Sequence, residues 1–168
     1  VDRFGDVGRY FRVIAAVDSS PSVANKPLSS VIHDFEDSGL ILPSLEAIDD
    51  WSRFDVCIVT TSSDLVSCAP TFRTLLSHGK AVISTCEELV YPWLRHVGLS
   101  EELDVIAKRS GGRLLGTGVN PGFLMDFLPA TLTAVCRDVR SIKCHRIQDA
   151  SSRRVQFLQP LPRHPRLS

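Results

Sequence analysis

Three times in this chain a short, almost continuous apolar run ends in a cluster of polar residues. Residues 12–18 run from Val13 to Val17 into the carboxylate of Asp18. Residues 55–64 run from Val56 to Val59 into Thr60, Thr61, Ser62, Ser63 and Asp64, and residues 81–89 run from Ala81 to Ile83 into Ser84, Thr85, Cys86, Glu87 and Glu88. Strands that are apolar on both faces belong in parallel sheets covered by helices, whereas half-wet strands alternate. The pattern predicts an α/β fold built on a Rossmann-like parallel sheet. Its polar strand ends would lie at the carboxyl edge, where open α/β sheets bind their ligands.

Residues 113–126 add a further run, Arg113-Leu114-Leu115, followed by a turn holding Gly116, Gly118 and Gly122 and then by a helix with Pro121 in its first turn. Glycine allows positive φ or close approach of a ligand, and proline near a helix start loses no intrahelical hydrogen bond. That composition suits a ligand loop and equally an ordinary strand-to-helix connection. Between the runs, Ser63 or Asp64 is placed to cap a helix over 65–78 that Gly79 ends. A second helix opens near Ser100 and stops at Gly111-Gly112, after a break at Tyr91-Pro92-Trp93. Residues 39–43 read as a brief strand, Ser44 as the cap of a helix through Leu45, Ile48 and Trp51, and residues 29–37 as a weakly amphipathic helix. Val139, Ile142, Cys144 and Ile147 alternate with charged residues, which predicts a strand over 139–149 opening an antiparallel layer.

Each polar cluster has a local reading beside a functional one. Asp18 suits a ribose-hydroxyl acceptor at a strand end and also a turn cap. A cap accounts for one of the hydroxyls at 60–63, which leaves two or three for a ligand. Glu87 or Glu88 fits a general base or an ammonium ligand, and also an acidic first helical turn. Cys86 has no histidine near it in sequence to make it a nucleophile. Gly5-Asp6-Val7-Gly8 resembles the end of a dinucleotide glycine fingerprint, but no apolar strand precedes it and no three-turn helix follows it.

The formal charge is zero, so nothing suggests nucleic acid, and no apolar run is long enough for a membrane span. Five scattered cysteines without CxxC spacing point away from a zinc site and a disulfide framework, and towards a reducing cytoplasmic setting. Three prolines in the last ten residues predict a disordered tail over 158–168.

Taken in order, 60–63, 84–89, 91–93, 116–123 and 149–151 resemble the dihydrodipicolinate reductase-like family over roughly residues 12–157. The resemblance implies a nucleotide-binding domain over 1–122 that uses NAD or NADP. It also implies a substrate and oligomerisation domain beginning at 123 and running to 157, a small amino-acid-like substrate, and a homo-oligomer in the full-length family. Carried over by position, Asp18 would bind the adenosine ribose, favouring NAD. Thr60, Thr61 and Ser62 would line the pyrophosphate and nicotinamide ribose, Thr85, Cys86 and Glu87 would approach the nicotinamide, and Asn120, Pro121 and Gly122 would close the site. Glu88 and Asn120 are the candidate catalytic residues. The implied reaction is hydride transfer between the nicotinamide and an amine-bearing carbon, with water releasing ammonia from the imine.

Three departures go with the resemblance. The first strand and glycine loop are absent or reduced to Gly5–Gly8, the paired-histidine and lysine motif is not visible, with His145 standing alone as a surface or packing residue, and the family pattern stops near Phe157. The expectation is therefore a truncated NAD(P)-dependent amine dehydrogenase or reductase. The alternatives are a nucleotide-binding or interaction module without catalysis, and a nonfunctional fragment.

Overall fold

In the computed structural model, residues 12–32 and 39–147 are described. The glycine pair at Gly5 and Gly8, most of the helix expected over 29–37, the last residues of the strand expected over 139–149, and the tail at 158–168 lie outside them.

The centre is a parallel sheet of β3 (Val56–Val59), β4 (Ala81–Ser84) and β5 (Arg113–Gly116) in the order β3-β4-β5. β3 leads into α1 (Leu65–Ser77) and β4 into α2 (Val97–Ser110), so each crossover is a βαβ unit. Both helices pack on the same sheet face. Val59 and Val82 point there from the strands and meet Leu65, Cys68, Phe72, Leu75 and Leu76 of α1 and Leu103 of α2, all buried in one cluster with Cys86 and Leu89. Among the described residues, nothing pairs with the outer edges of β3 and β5.

Local chemistry sets the helix limits. Asp64 caps α1, its Oδ1 accepting the Ser67 N–H at 2.6 Å, and Gly79 ends the turn beyond His78 at φ +70°. α2 begins three residues before the expected Ser100, because the His96 carbonyl accepts both the N–H and the hydroxyl of Ser100 at 2.8 Å. Gly111, left-handed at φ +76°, closes it.

Three other expectations are corrected. The apolar run 12–18 contributes only β1 (Ala16–Val17), which pairs in parallel with β2 (Ile41–Leu42) as a separate two-stranded sheet. β2 is too short to offer the run more partners. The helix expected from Ser44 is instead two single turns, Leu45–Ala47 and Trp51–Arg53, the second capped by Asp50. Trp51 stacks on His78 at 3.8 Å, and the Lys80 ammonium donates to the Phe54 carbonyl at 2.8 Å, so this connection is fastened to the end of α1. Residues 139–147 form no strand and are exposed. Their alternation has no partner strand among the described residues, and alternation without a partner specifies nothing.

Candidate functional site at the carboxyl edge of the sheet

The register places Val59, Ser84 and Gly116 side by side as the last residues of their strands. The ladder continues one step further, with Thr85 N–H donating to the Val59 carbonyl at 3.1 Å and Thr117 N–H to the Ser84 carbonyl at 2.9 Å. Thr60, Thr85 and Thr117 therefore leave the sheet as a row of three exposed residues, one per strand. Beneath them the buried Ser84 hydroxyl donates to the Val59 carbonyl at 2.9 Å and accepts the Cys86 N–H at 3.1 Å, tying two strand ends together. Thr117 was not singled out from the sequence. The signal that finds it is register: it follows Gly116 as Thr85 follows Ser84.

None of the four hydroxyls after β3 caps α1, a role that the Asp64 carboxylate takes. The Ser62 hydroxyl accepts the Asp64 N–H at 3.1 Å, and the Thr61 hydroxyl lies 3.8 Å from the Cys68 sulfur. The hydroxyls of Thr60 and Ser63 make no hydrogen bond with the described residues. Hydrogen bonds from the Ser67 hydroxyl and amide hold the Asp64 carboxyl below the usual carboxylate range.

Glu87, Glu88 and Leu89 form a single tight turn after β4. Glu88 turns inward: its Oε2 accepts the Leu65 N–H at 3.0 Å and lies 3.0 Å from His96 Nε2, and its Oε1 is 3.6 Å from an Arg95 nitrogen. With Asp64 on Ser67 and Glu88 on Leu65, the amino end of α1 already carries two carboxylates, leaving it unsuited to a phosphate. Oε2 of Glu88, the candidate catalytic residue, is thereby engaged by the helix end and by His96. Glu87 is exposed and has no partner among the described residues. His96, unremarked in the sequence, is the residue that holds Glu88 in this position.

Cys86 is a packed residue, in keeping with the lack of a histidine near it in sequence. It is fully buried, its thiol donating to the Ser63 carbonyl at 3.3 Å, so its side chain belongs to the core and not to a ligand surface. Burial foremost, then the neighbouring Cys68, pushes the thiol pKa up to about 12, which keeps it protonated and unreactive. Asp18 ends β1 and accepts the Ser20 N–H at 2.8 Å, the turn-capping arrangement.

The glycine stretch has two distinct reasons for its glycines. A Cβ on Gly116 would stand 2.7 Å from the Leu89 backbone, so the β5 end can lie against the 87–89 turn only as glycine. Gly122 sits at φ +124°, whereas Gly118 is extended at φ 165°. Asn120 and Pro121, joined by a cis bond, are extended as well, so helical backbone begins at Phe123 and Pro121 stands before the helix instead of in its first turn. This helical stretch continues into α3 (Leu128–Thr133). The Asn120 side chain is exposed, and Asp126 Oδ2 accepts the Gly122 N–H at 2.7 Å.

Among the described residues, no three His, Cys, Asp or Glu side chains cluster as metal ligands, and no helix is long and apolar enough to cross a membrane.

No family model matches the chain. It is 33% identical over 112 residues to 2,4-diaminopentanoate dehydrogenase of Acetoanaerobium sticklandii, a match covering 67% of this chain and 32% of that protein. The resemblance read from the sequence, nearest to that dehydrogenase, is borne out. Among solved structures, an amine dehydrogenase from Mycobacterium smegmatis superposes with a TM-score of 0.66 over 74% of this chain and 37% of that chain, at 24% identity. This second likeness shows the fold, a Rossmann-like α/β arrangement.

Proposed function

We propose, from the similarity to 2,4-diaminopentanoate dehydrogenase and the row of strand ends, that this chain carries part of an NAD(P)-dependent amine dehydrogenase or reductase for a small amino-acid-like substrate. One observation carries the reading. Three parallel strand ends bring Thr60, Thr85 and Thr117 together at the edge where open α/β sheets bind nucleotides, in a chain 33% identical over 112 residues to 2,4-diaminopentanoate dehydrogenase.

The residues present fit the sugar and amide end of a dinucleotide. Hydroxyls and exposed backbone at 60–63, 85 and 117–121 offer both donors and acceptors. Asp18, Thr60, Thr61, Ser62, Thr85, Glu87, Asn120 and Pro121 are the residues assigned to holding it, with Cys86 supporting them from the core. The nucleotide supplies the hydride exchange when bound. The protein's own part is orientation and proton handling. Glu87, the unengaged carboxylate of the pair, takes the proton of the substrate ammonium or of the attacking water, Glu88 fixes the turn that presents it, and Asn120 offers its amide beside the substrate. Residues 123–157 begin the substrate domain, through which copies assemble in the cytoplasm.

A thermal melt of the full chain with millimolar NAD(H) or NADP(H) tests the reading. A ligand at a hundred times its Kd raises the stability of the folded state by about 2.7 kcal/mol. An upward shift with one nucleotide supports it, and no shift with either overturns it. A second reading is favoured by the commitment of Glu88 to α1: nucleotide binding without turnover. A melt shift with no nucleotide reduction on any amine, including 2,4-diaminopentanoate, would select it.

A further inference from the structure

Beside the strand-end row lies an open cavity of about 550 Å³, lined by Tyr91, Thr117, Phe123, Asp126 and Phe127 with the neighbouring backbone. It adjoins the Glu87 turn, because Gly116 lies against the backbone of Leu89 and Val90. Asp126 is the one charged residue in its lining. Asp126 Oδ2 holds the Gly122 N–H, while Oδ1 has no partner among the described residues. Three aromatic residues, Tyr91, Phe123 and Phe127, line the cavity with it, and the rings of Phe123 and Phe127 stack on each other at 6.2 Å between centroids.

A negative oxygen in a cavity walled otherwise by aromatic and neutral residues selects one kind of ligand group. A cation gains a charge-assisted hydrogen bond from the carboxylate and attraction from the ring quadrupoles. A carboxylate or phosphate is repelled, and an alcohol gains only the weaker neutral hydrogen bond. We propose that Asp126 is the ammonium-recognising residue of this cavity, setting it to take the cationic end of a primary alkyl amine and to turn a substrate's carboxylate away. The inference rests on the reading of the chain as an amine-handling enzyme and deepens it, since it names which end of the substrate enters and which residue selects it. The single bond from Asp126 to Gly122 also fixes the start of the helix, a role that asparagine can keep because its side-chain oxygen accepts the same N–H.

The test is ligand-observed NMR on the full chain with butylammonium, butanol and butanoate, with and without D126N. Saturable binding of butylammonium, with butanol weaker and butanoate unbound, is expected. D126N should weaken the amine by about tenfold or more while leaving butanol unchanged, and Phe127→Leu should weaken the amine about two- to fivefold. Equal binding of amine and alcohol to the unaltered chain, absence of amine binding, or an unchanged amine affinity in a folded D126N would each overturn the proposal. Because D126N can lower stability through Gly122, the amine-to-alcohol comparison on the unaltered chain decides the matter if the variant melts early. The nucleotide melt is read separately: amine selectivity without a nucleotide shift sinks the dehydrogenase reading and keeps this one, and the reverse result does the opposite.

Discussion

The three-stranded sheet has two faces made by the same twelve residues, and they differ sharply. Towards α1 and α2, Val59, Val82 and Ser84 are buried and Cys57 and Leu114 half-buried. On the other face Val56 is 50% exposed, Ile58 74% and Leu115 56%, a stripe of branched apolar side chains with little on top of it. Parallel sheets ordinarily have both faces covered. Alternation along a strand thus assigns residues to faces, but coverage is set by which elements cross over, and here both helices cross on the same side.

Perturbations of the covered face should produce the largest effects. Phe72→Ala, at the centre of the covered cluster, should cost about 3–5 kcal/mol in urea unfolding. A cost below about 1 kcal/mol would mean that α1 does not pack as described. Next, Gly116→Ala should cost about 1–3 kcal/mol, since its Cβ would stand 2.7 Å from backbone that has no flexible side chain to yield. Glu88→Gln should lower stability by about 1 kcal/mol, by weakening the charge on the α1 end and the pairing with His96. Glu87→Gln should leave the melt unchanged while abolishing any amine turnover, and equal melting losses in the two variants would erase the distinction between them.

Acid sharpens the contrast at the same helix end. The folded-state carboxyl of Asp64 lies below its ordinary 3.8. Its contribution is therefore present above that value and is lost as the pH falls through the lower folded one. D64N should melt lower than the unaltered chain at neutral pH, with the gap closing below pH ~4. A gap independent of pH would rule out the charged cap as its source. The smallest effect should come from the bare face: Ile58→Thr should stay within about 0.5 kcal/mol. A loss as large as that of Phe72→Ala would show that something covers this face in solution.

Much of the frame was legible beforehand. β3, β4 and β5, a cap for α1 at Ser63 or Asp64, the ends of α1 and α2 at Gly79 and Gly111-Gly112, and the carboxyl-edge cluster follow from local period and cap chemistry, which act over a few residues. Other expectations failed where partners decide the outcome. The run 12–18 had the composition of a central strand but met a two-residue partner, and 139–147 had the alternation of a strand and met none.

Sequence alone determined that polar side chains would gather at one sheet edge, because strand direction and helical crossovers are written in the order of apolar runs and caps. It could not distinguish Glu87 from Glu88, identical and adjacent. The tertiary structure decided that pair. A tight turn with about three residues per revolution separates neighbours by roughly 120°, which sends Glu88 to the Leu65 amide and His96 and leaves Glu87 facing outward. The same holds for Asp126, whose neighbours in the cavity come from residues as distant as Tyr91. Which carboxylate is engaged by the fold and which is left exposed depends on groups brought together across tens of residues, and no local pattern encodes it.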